Sequence, residues 1–363
     1  MPHPHRKPIL LACRGLDPVG TGRQVELVAA GLLAAGFDVH FASTTTGGSL
    51  AGRVAAAGGA VHAVGRRPVA DAAAALGLMA LAARLRPAVV VGWGRSQIWP
   101  VAAARMVVPG LRAVGWLGRP VAGRRLAAGL GRLDAVIAAT PGVADACRRL
   151  GVAASRIVAI PPAAPPVAEM SLSRAEIARR LGLDPAKVWT LCVAPLEADA
   201  RLERLLWAID QLGVVRQDLE HVLVGAGPLL GHLRRRARVQ ELSDRLVVVP
   251  ECDLLPDLLG AVRVVWQPGT VALGGAILDG LARGVPAVAI AGDAARQLIA
   301  DGETGAVAPA VPESEFPRRA FAFLEDADLA ARTGAAAAAW LAERLPAAAS
   351  VAAHVALCER LAG

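Results

Sequence analysis

One stretch of this chain, Gln267 to Ala289 (QPGTVALGGAILDGLARGVPAVA), combines residue types that suit binding of a phosphorylated ligand. The apolar run Ala261 to Trp266 is cut by Pro268 and Gly269, which cannot continue a paired strand, and Thr270 stands where a helix N-cap would be. Gly284 and Pro286 close that helix and start the next strand, Val285 to Ile290. A helix beginning at the carboxyl edge of a parallel sheet turns free N–H groups and the positive end of its dipole outward, which suits a phosphate. Gly274 and Gly275 allow a ligand to approach the main chain closely. Asp279 adds a carboxylate among Ile277, Leu278 and Leu281, and it reads equally as a ligand group or as a helix-surface aspartate.

Other chemistries find little support. The five cysteines (Cys13, Cys147, Cys192, Cys252, Cys358) are scattered and never form a C-x-x-C pair, which argues against a disulfide framework or a zinc site. His3 and His5 lie at the terminus, and no two histidines have helical metal-ligand spacing with a carboxylate nearby, so no metal and no cofactor is expected. Arg234-Arg235-Arg236-Ala237-Arg238 is a charge run within a helix, and no recognition motif for nucleic acid accompanies it.

The elements that must position these residues follow from an alternation of strand and helix patterns. Residues 8 to 13 form an apolar run; the Gly-rich turn Gly15 to Gly22 leads into a helix from Arg23 to Ala35, and Asp38 to Ser43 is a second strand. The alternation runs on through the strands Ala60 to Val64 and Ala88 to Gly92, the helix Ala70 to Leu85, and strands near Ala113 and at Asp134 to Ala139. Pro161-Pro162 and Pro165-Pro166 interrupt it as a linker. A second half restarts with the helix Arg174 to Leu181 and the strand Trp189 to Ala194. It continues through the strand His221 to Gly225, the helix Leu229 to Val239 and the strand Arg245 to Val249. Residues 312 to 361 read as helix, broken into two pieces at Leu345-Pro346.

With 363 residues and 55% apolar content, the chain can build two cores. The longest apolar stretches fall short of a membrane span and no signal peptide is evident, so the expectation is a cytoplasmic protein. The net charge of +8 rests on arginine, Lys7 and Lys187 being the only lysines, and it favours phosphate-bearing or anionic-lipid partners.

The stretch from Val271 to Pro286 resembles the signature of family-four (group 1) GT-B glycosyltransferases: Glu-Gly-Phe-Gly, a second Glu eight positions after the first, then Gly-Val-Pro. Aligned on Gly284-Val285-Pro286, this chain reads Val271-Ala272-Leu273-Gly274, with Asp279 at the second Glu. The resemblance covers nearly the whole chain. It implies an α/β fold of two Rossmann-like domains facing each other across a cleft. Residues 1–165, completed by about 347–363, would form the acceptor-side domain, and residues 166–346 the nucleotide-sugar donor domain, with the last helix crossing back to the first domain. The implied reaction is retaining transfer of a sugar from a nucleotide-sugar donor. Donor contacts fall on Gly225, Gly227, Glu251, Cys252, Gly274, Gly275, Asp279 and Arg201, with Asp279 facing the ribose hydroxyls. On the acceptor side they fall on Gly20, Gly22, Trp93 and Arg119.

Three charged groups of that family are replaced here. Pro195 stands at its diphosphate-binding Arg, Ala200 at its Lys and Val271 at its first Glu, while Trp93 or Leu117 takes the place of a first-domain His. Arg201 follows the missing Lys directly and reads either as a displaced phosphate contact or as a helix-start arginine paired with Glu197 or Glu203. Two functions therefore stand side by side: a glycosyltransferase with a divergent donor site, and a non-catalytic relative used for binding or scaffolding. Mixed tryptophan and arginine between Trp93 and Arg132 leave two readings, core packing or peripheral contact with the inner membrane face. Oligomeric state is left open.

Overall fold

The computed structural model describes residues 8–14, 20–45, 50–65, 72–167, 169–250, 252–269, 273 and 276–363. The chain divides into two compact units, residues 1–163 with 345–363, and residues 164–344.

In the first unit the elements run β1 (Ile9–Cys13), α1 (Gly20–Ala34), β2 (Val39–Ser43), α2 (Leu50–Ala56), β3 (Ala60–Ala63), α3 (Ala72–Leu85) and β4 (Val89–Trp93). They continue as α4 (Ile98–Val107), β5 (Arg112–Leu117), α5 (Arg124–Leu130), β6 (Ala135–Ala138), α6 (Pro141–Arg149) and β7 (Ile157–Ala159). All seven strands pair in parallel in the order β3-β2-β1-β4-β5-β6-β7. Central β1 is apolar throughout and fully buried, as a strand covered by helices on both faces must be. α6 starts where its sequence directs: Pro141 holds the first turn and Thr140 accepts the Val143 N–H at 3.2 Å.

The second unit comprises α7 (Arg174–Leu181), β8 (Val188–Val193), α8 (Leu202–Val215), β9 (Leu219–Val224), α9 (Leu230–Val239), β10 (Leu246–Val249), α10 (Leu255–Ala261) and β11 (Val264–Gln267). It then runs α11 (Ile277–Ala282), β12 (Ala287–Ile290), α12 (Asp293–Leu298), β13 (Gly305–Ala308), α13 (Glu315–Glu325) and α14 (Ala327–Arg344). Its parallel sheet has the order β10-β9-β8-β11-β12-β13. α7 carries a Ser-x-x-Glu start, with Ser173 accepting the Glu176 N–H, and ends on left-handed Gly182. Arg174 lies 3.7 Å over the Trp189 ring and donates to the carbonyls of Pro185, Lys187 and Ala261, tying the helix to the start of the sheet. The core gathers around Trp266 and Phe316, whose rings meet edge to face at 5.2 Å.

α15 (Ala347–Ala362) belongs to the first unit, although it follows the second in sequence. It packs on α1, where Gly31 leaves room for Val351: a Cβ on Gly31 would meet the Val351 side chain at 2.1 Å. Ser350 Oγ donates to the Pro161 carbonyl at 2.7 Å, and Gln24 exchanges two hydrogen bonds with the Ala163 main chain. Together these contacts fix the last helix to the segment where the chain leaves the unit.

Two expectations are corrected. The C-terminal helical region has three helices rather than two, because Asp326 caps α14 by accepting the Leu329 N–H at 2.8 Å and so starts a new helix after Glu325. Gly20-Thr21-Gly22 form the first turn of α1 rather than a loop before it. Thr270, expected as a helix N-cap, lies outside the described residues; α11 is described from Ile277, with Ala276 at its N-cap.

Two histidines are sealed inside. His221 lies on β9 against Thr190, and burial pushes its imidazole down to about 3; His354 on α15 is pushed down to about 4. Both are neutral when folded, whereas the unfolded chain protonates them below the ordinary value of 6.5. Their contribution to stability is therefore complete above that value and is lost as pH falls below it. Thermal unfolding should show a loss of ~2 kcal/mol per histidine between about pH 7 and about pH 5. A melting temperature that stays constant over this range would contradict the assignment.

Candidate functional site

In the second unit, β8, β9 and β10 proceed outward to one side and β11 returns to the other side of β8, so the topological switch lies between β8 and β11. The loops leaving the carboxyl ends of these strands meet main chain to main chain. Gly225 and Gly227, after β9, lie against the loop after β8. A Cβ on Gly225 would stand 1.9 Å from the Ala194 carbonyl, and one on Gly227 would stand 2.6 Å from that of Leu196. Hydrogen bonds close the array: Leu196 N–H to Ala226 O at 3.0 Å, Leu229 N–H to Leu196 O at 3.0 Å, and Gly225 N–H to Val249 O at 2.9 Å. Side chains are excluded from these contacts, so the edge presents backbone to whatever binds there.

The loop after β11 is fixed by residues that sequence reasoning missed. Arg204, in the first turn of α8, donates to the Pro268 carbonyl at 2.9 Å and lies 3.6 Å from Glu313. Gln267, 3% exposed, donates to the Gly269 carbonyl at 3.0 Å, and its Oε1 is buried without a hydrogen-bond partner. Gly269 abuts the turn before α8, where a Cβ would come within 2.5 Å of the Ala200 carbonyl. An arginine in a helix's first turn carries no signal that its partner is a carbonyl 64 residues further on. Leu273, fully buried, holds a left-handed φ of 53°, a strained conformation for a branched side chain at the middle of the signature.

The positions singled out from sequence separate clearly. Pro195 is exposed, but Ala200 is only 1% exposed, so a lysine there would have to emerge from beneath the Gly269 loop. Arg201 is exposed at the N-cap of α8 with φ 51° and ψ 44°, again left-handed. Among the described residues neither Glu197 nor Glu203 forms an ion pair with it; Glu203 instead lies 3.9 Å from His232. Asp279 sits in the first turn of α11 and is 5% exposed, which excludes a surface role. Cys252 is a buried thiol pushed up to about 11 by burial, so it packs rather than reacts. Glu251, Gly274 and Gly275 lie outside the described residues.

In the first unit the switch lies between β1 and β4. Gly20 opens α1 and Gly22 is buried in its first turn. Trp93 ends β4 but points into the core, stacked on Trp116 at 4.6 Å and on the His354 ring at 5.7 Å. It presents no titratable group and no exposed face. Arg119 is half-buried. Arg105 and Arg112 are taken up by Asp134, whose carboxyl their hydrogen bonds hold below the usual range against the opposing effect of burial. Trp99 donates to the Arg125 carbonyl at 3.0 Å. Among the described residues, no group of three or more His, Cys, Asp or Glu is placed to hold a metal ion, and no helix is long and apolar enough to cross a membrane.

Two units of this kind, each a parallel sheet with crossover helices and a last helix returned to the first unit, define a protein of the GT-B class. The pattern of Glycosyltransferase Family 4 matches residues 18–166 and that of Glycosyl transferases group 1 matches residues 188–326, and the chain belongs to this glycosyltransferase family. Its fold is similar to that of Anabaena Alr3699/HepE, solved in complex with UDP-glucose, with TM-score 0.78 and 15% identity over 98% of this chain and 100% of that one. It is also similar to sucrose-phosphate synthase from Thermosynechococcus elongatus, with TM-score 0.76 and 17% identity over 98% and 99% of the two chains. WaaG, a glycosyltransferase involved in lipopolysaccharide biosynthesis, gives 0.75 and 15% over 95% and 98%. No curated protein matches the chain in sequence.

Two substitutions test this geometry. Arg204→Ala removes the donor to the Pro268 carbonyl and should cost ~1 to 2 kcal/mol in denaturant unfolding, with faster proteolysis after Gln267. Arg201→Gly relieves the left-handed strain and should raise stability by ~1 kcal/mol. Loss of stability in the second variant would show that the Arg201 side chain makes a favourable contact.

Proposed function

We propose that this chain binds a nucleotide sugar at the β8–β11 switch of its second unit through a donor site that has lost most of its fixed positive charge. Transfer to an acceptor, with retention, is then slow. The observation that carries this reading is the backbone-lined edge at Gly225, Gly227 and Gly269, combined with a neutral Pro195 and a buried Ala200 where the family's phosphate-binding cations stand. Binding of UDP-glucose by a structurally similar protein supports a nucleotide sugar as the ligand class. Departure of a nucleoside diphosphate needs preorganised charge, and loss of one such group typically costs ~100- to 1,000-fold in rate. Arg201, exposed and one position beyond Ala200, is the cation assigned to the diphosphate. Asp279 is assigned to the ribose, and Glu251, Cys252, Gly274 and Gly275 complete the donor side. Gly20, Gly22, Trp93 and Arg119 lie on the acceptor side, where Trp93 contributes only packing.

A second reading, a binding or scaffolding module without turnover, is favoured by one observation. Trp93 and Leu117, the two candidates for the place of the family's His, are both buried and apolar, and Pro195, Ala200 and Val271 carry no charge at the family's Arg, Lys and first Glu.

Titration calorimetry with UDP, GDP and ADP decides whether the site binds. Pro195→Arg, at an exposed position, should tighten binding of the preferred nucleoside diphosphate by ~1 to 2 kcal/mol, and Arg201→Gly should weaken it several-fold. Ala200→Lys should instead lower stability. Turnover of the Pro195→Arg protein should stay near background until Val271→Glu is added, because that position would contact the sugar rather than the phosphate. Turnover of a nucleotide sugar by the unaltered protein at ordinary enzyme rates would refute the eroded donor site. Absence of any nucleotide binding would favour the scaffold.

A further inference from the structure

At the outer edge of the first sheet, away from its switch point, three titratable side chains form a chain that ends at a cavity. β2 and β3 pair in register with Ala42 opposite His62, which puts His40 and His62 on one face. Their rings stack at 5.2 Å, and His40 Nδ1 lies 2.9 Å from His62 Nε2. His40 Nε2 lies 3.1 Å from an Asp38 carboxylate oxygen. With His40 neutral, the carboxylate, which can only accept, sets the tautomer: His40 donates from Nε2 to Asp38, and its Nδ1 accepts the N–H of His62 Nε2. Any further proton on His62 must then enter at Nδ1.

His62 lines a cavity of about 410 Å³ together with Arg84 from the last turn of α3 and an apolar wall of Val64, Gly77, Ala80 and Leu81. Among the described residues no carboxylate lines it. Arg84 is near enough for its charge to hold the His62 imidazole below its ordinary value, reinforcing burial, the largest cause, and His40. α2 also packs against β3, and its only charged side chain, Arg53, is turned to Glu26 at 2.6 Å. Among the described residues the cavity therefore gathers a guanidinium fork and an imidazole with no anion to balance them, and burial, His40 and Arg84 hold that imidazole back from protonation.

We propose that this cavity is a binding site for the phosphate group of a small organic phosphate. Arg84 holds the phosphoryl oxygens, His62 donates from protonated Nδ1, and Asp38 and His40 hold its ring in place. A cavity of about 410 Å³ exceeds what a bare ion fills, and the wall of Val64, Ala80 and Leu81 suits the carbon skeleton of an ester. A bound dianion offsets the repulsion between Arg84 and His62, so binding and protonation of His62 favour each other. The site is independent of any nucleotide binding in the second unit.

Histidine Cε1–H resonances of the full-length protein read the site directly, with His62 assigned by its loss in His62→Asn. Glycerol 3-phosphate should shift the His62 signal saturably and more tightly than inorganic phosphate, while acetate should do little. If inorganic phosphate binds as well as the ester, the ligand is the free ion and the ester assignment is overturned. Sulfate, which keeps its charge, should bind more weakly at about pH 8 than at about pH 5.5, by up to about tenfold if binding favours protonated His62 about tenfold. Arg84→Gln, a change at an exposed side chain, should weaken glycerol 3-phosphate about tenfold. A shift in Arg84→Gln equal to that of the unaltered protein, or no saturable shift at all, would overturn the site.

Discussion

The second unit depends on close approach of main chain to main chain where its parallel strands end. Three loops converge at the carboxyl edge, and each contact is made at a glycine whose Cβ would collide with a carbonyl: Gly225 on Ala194, Gly227 on Leu196 and Gly269 on Ala200. The same device joins α14 to the turn after α11. A Cβ on Gly334 would lie 1.7 Å from the Gly284 carbonyl, while Gly284 itself has a φ of 76°. A collision with backbone cannot be relieved by a rotamer change, so these glycines set how near the loops lie and how much backbone the edge displays.

That constraint shapes the electrostatics. With loops built from backbone, charge at the edge depends on the few side chains that leave it, and here Pro195 and Ala200 supply none. Arg204 is spent on a carbonyl and a neighbouring glutamate, which makes it a support of the loop. Arg201 remains outward, held in a conformation that costs energy for a residue with a Cβ. The first unit spends its arginines in a comparable way: Arg105 and Arg112 share Asp134, and Arg156 donates to the carbonyls of Gly131 and Leu133.

The sequence by itself determined the alternation of strands and helices, because parallel strands buried on both faces read as short apolar runs such as Ile9–Ala12, and caps such as Ser173 with Glu176 or Thr140 with Pro141 act locally. It also marked the signature around Asp279, where glycine and proline punctuate the chain whatever surrounds it. Tertiary structure alone decided which side chains are available. Trp93 and Arg201 look alike on paper as site candidates, yet one is stacked between Trp116 and His354 and the other is exposed. Arg204 meets Pro268, and His62 meets both His40 and Arg84, only because strands and helices distant in sequence become neighbours in the sheet. Periodicity records which face of an element is apolar. It carries no record of which other element lies opposite, and burial, ion pairing and the protonation of a histidine are set by that neighbour.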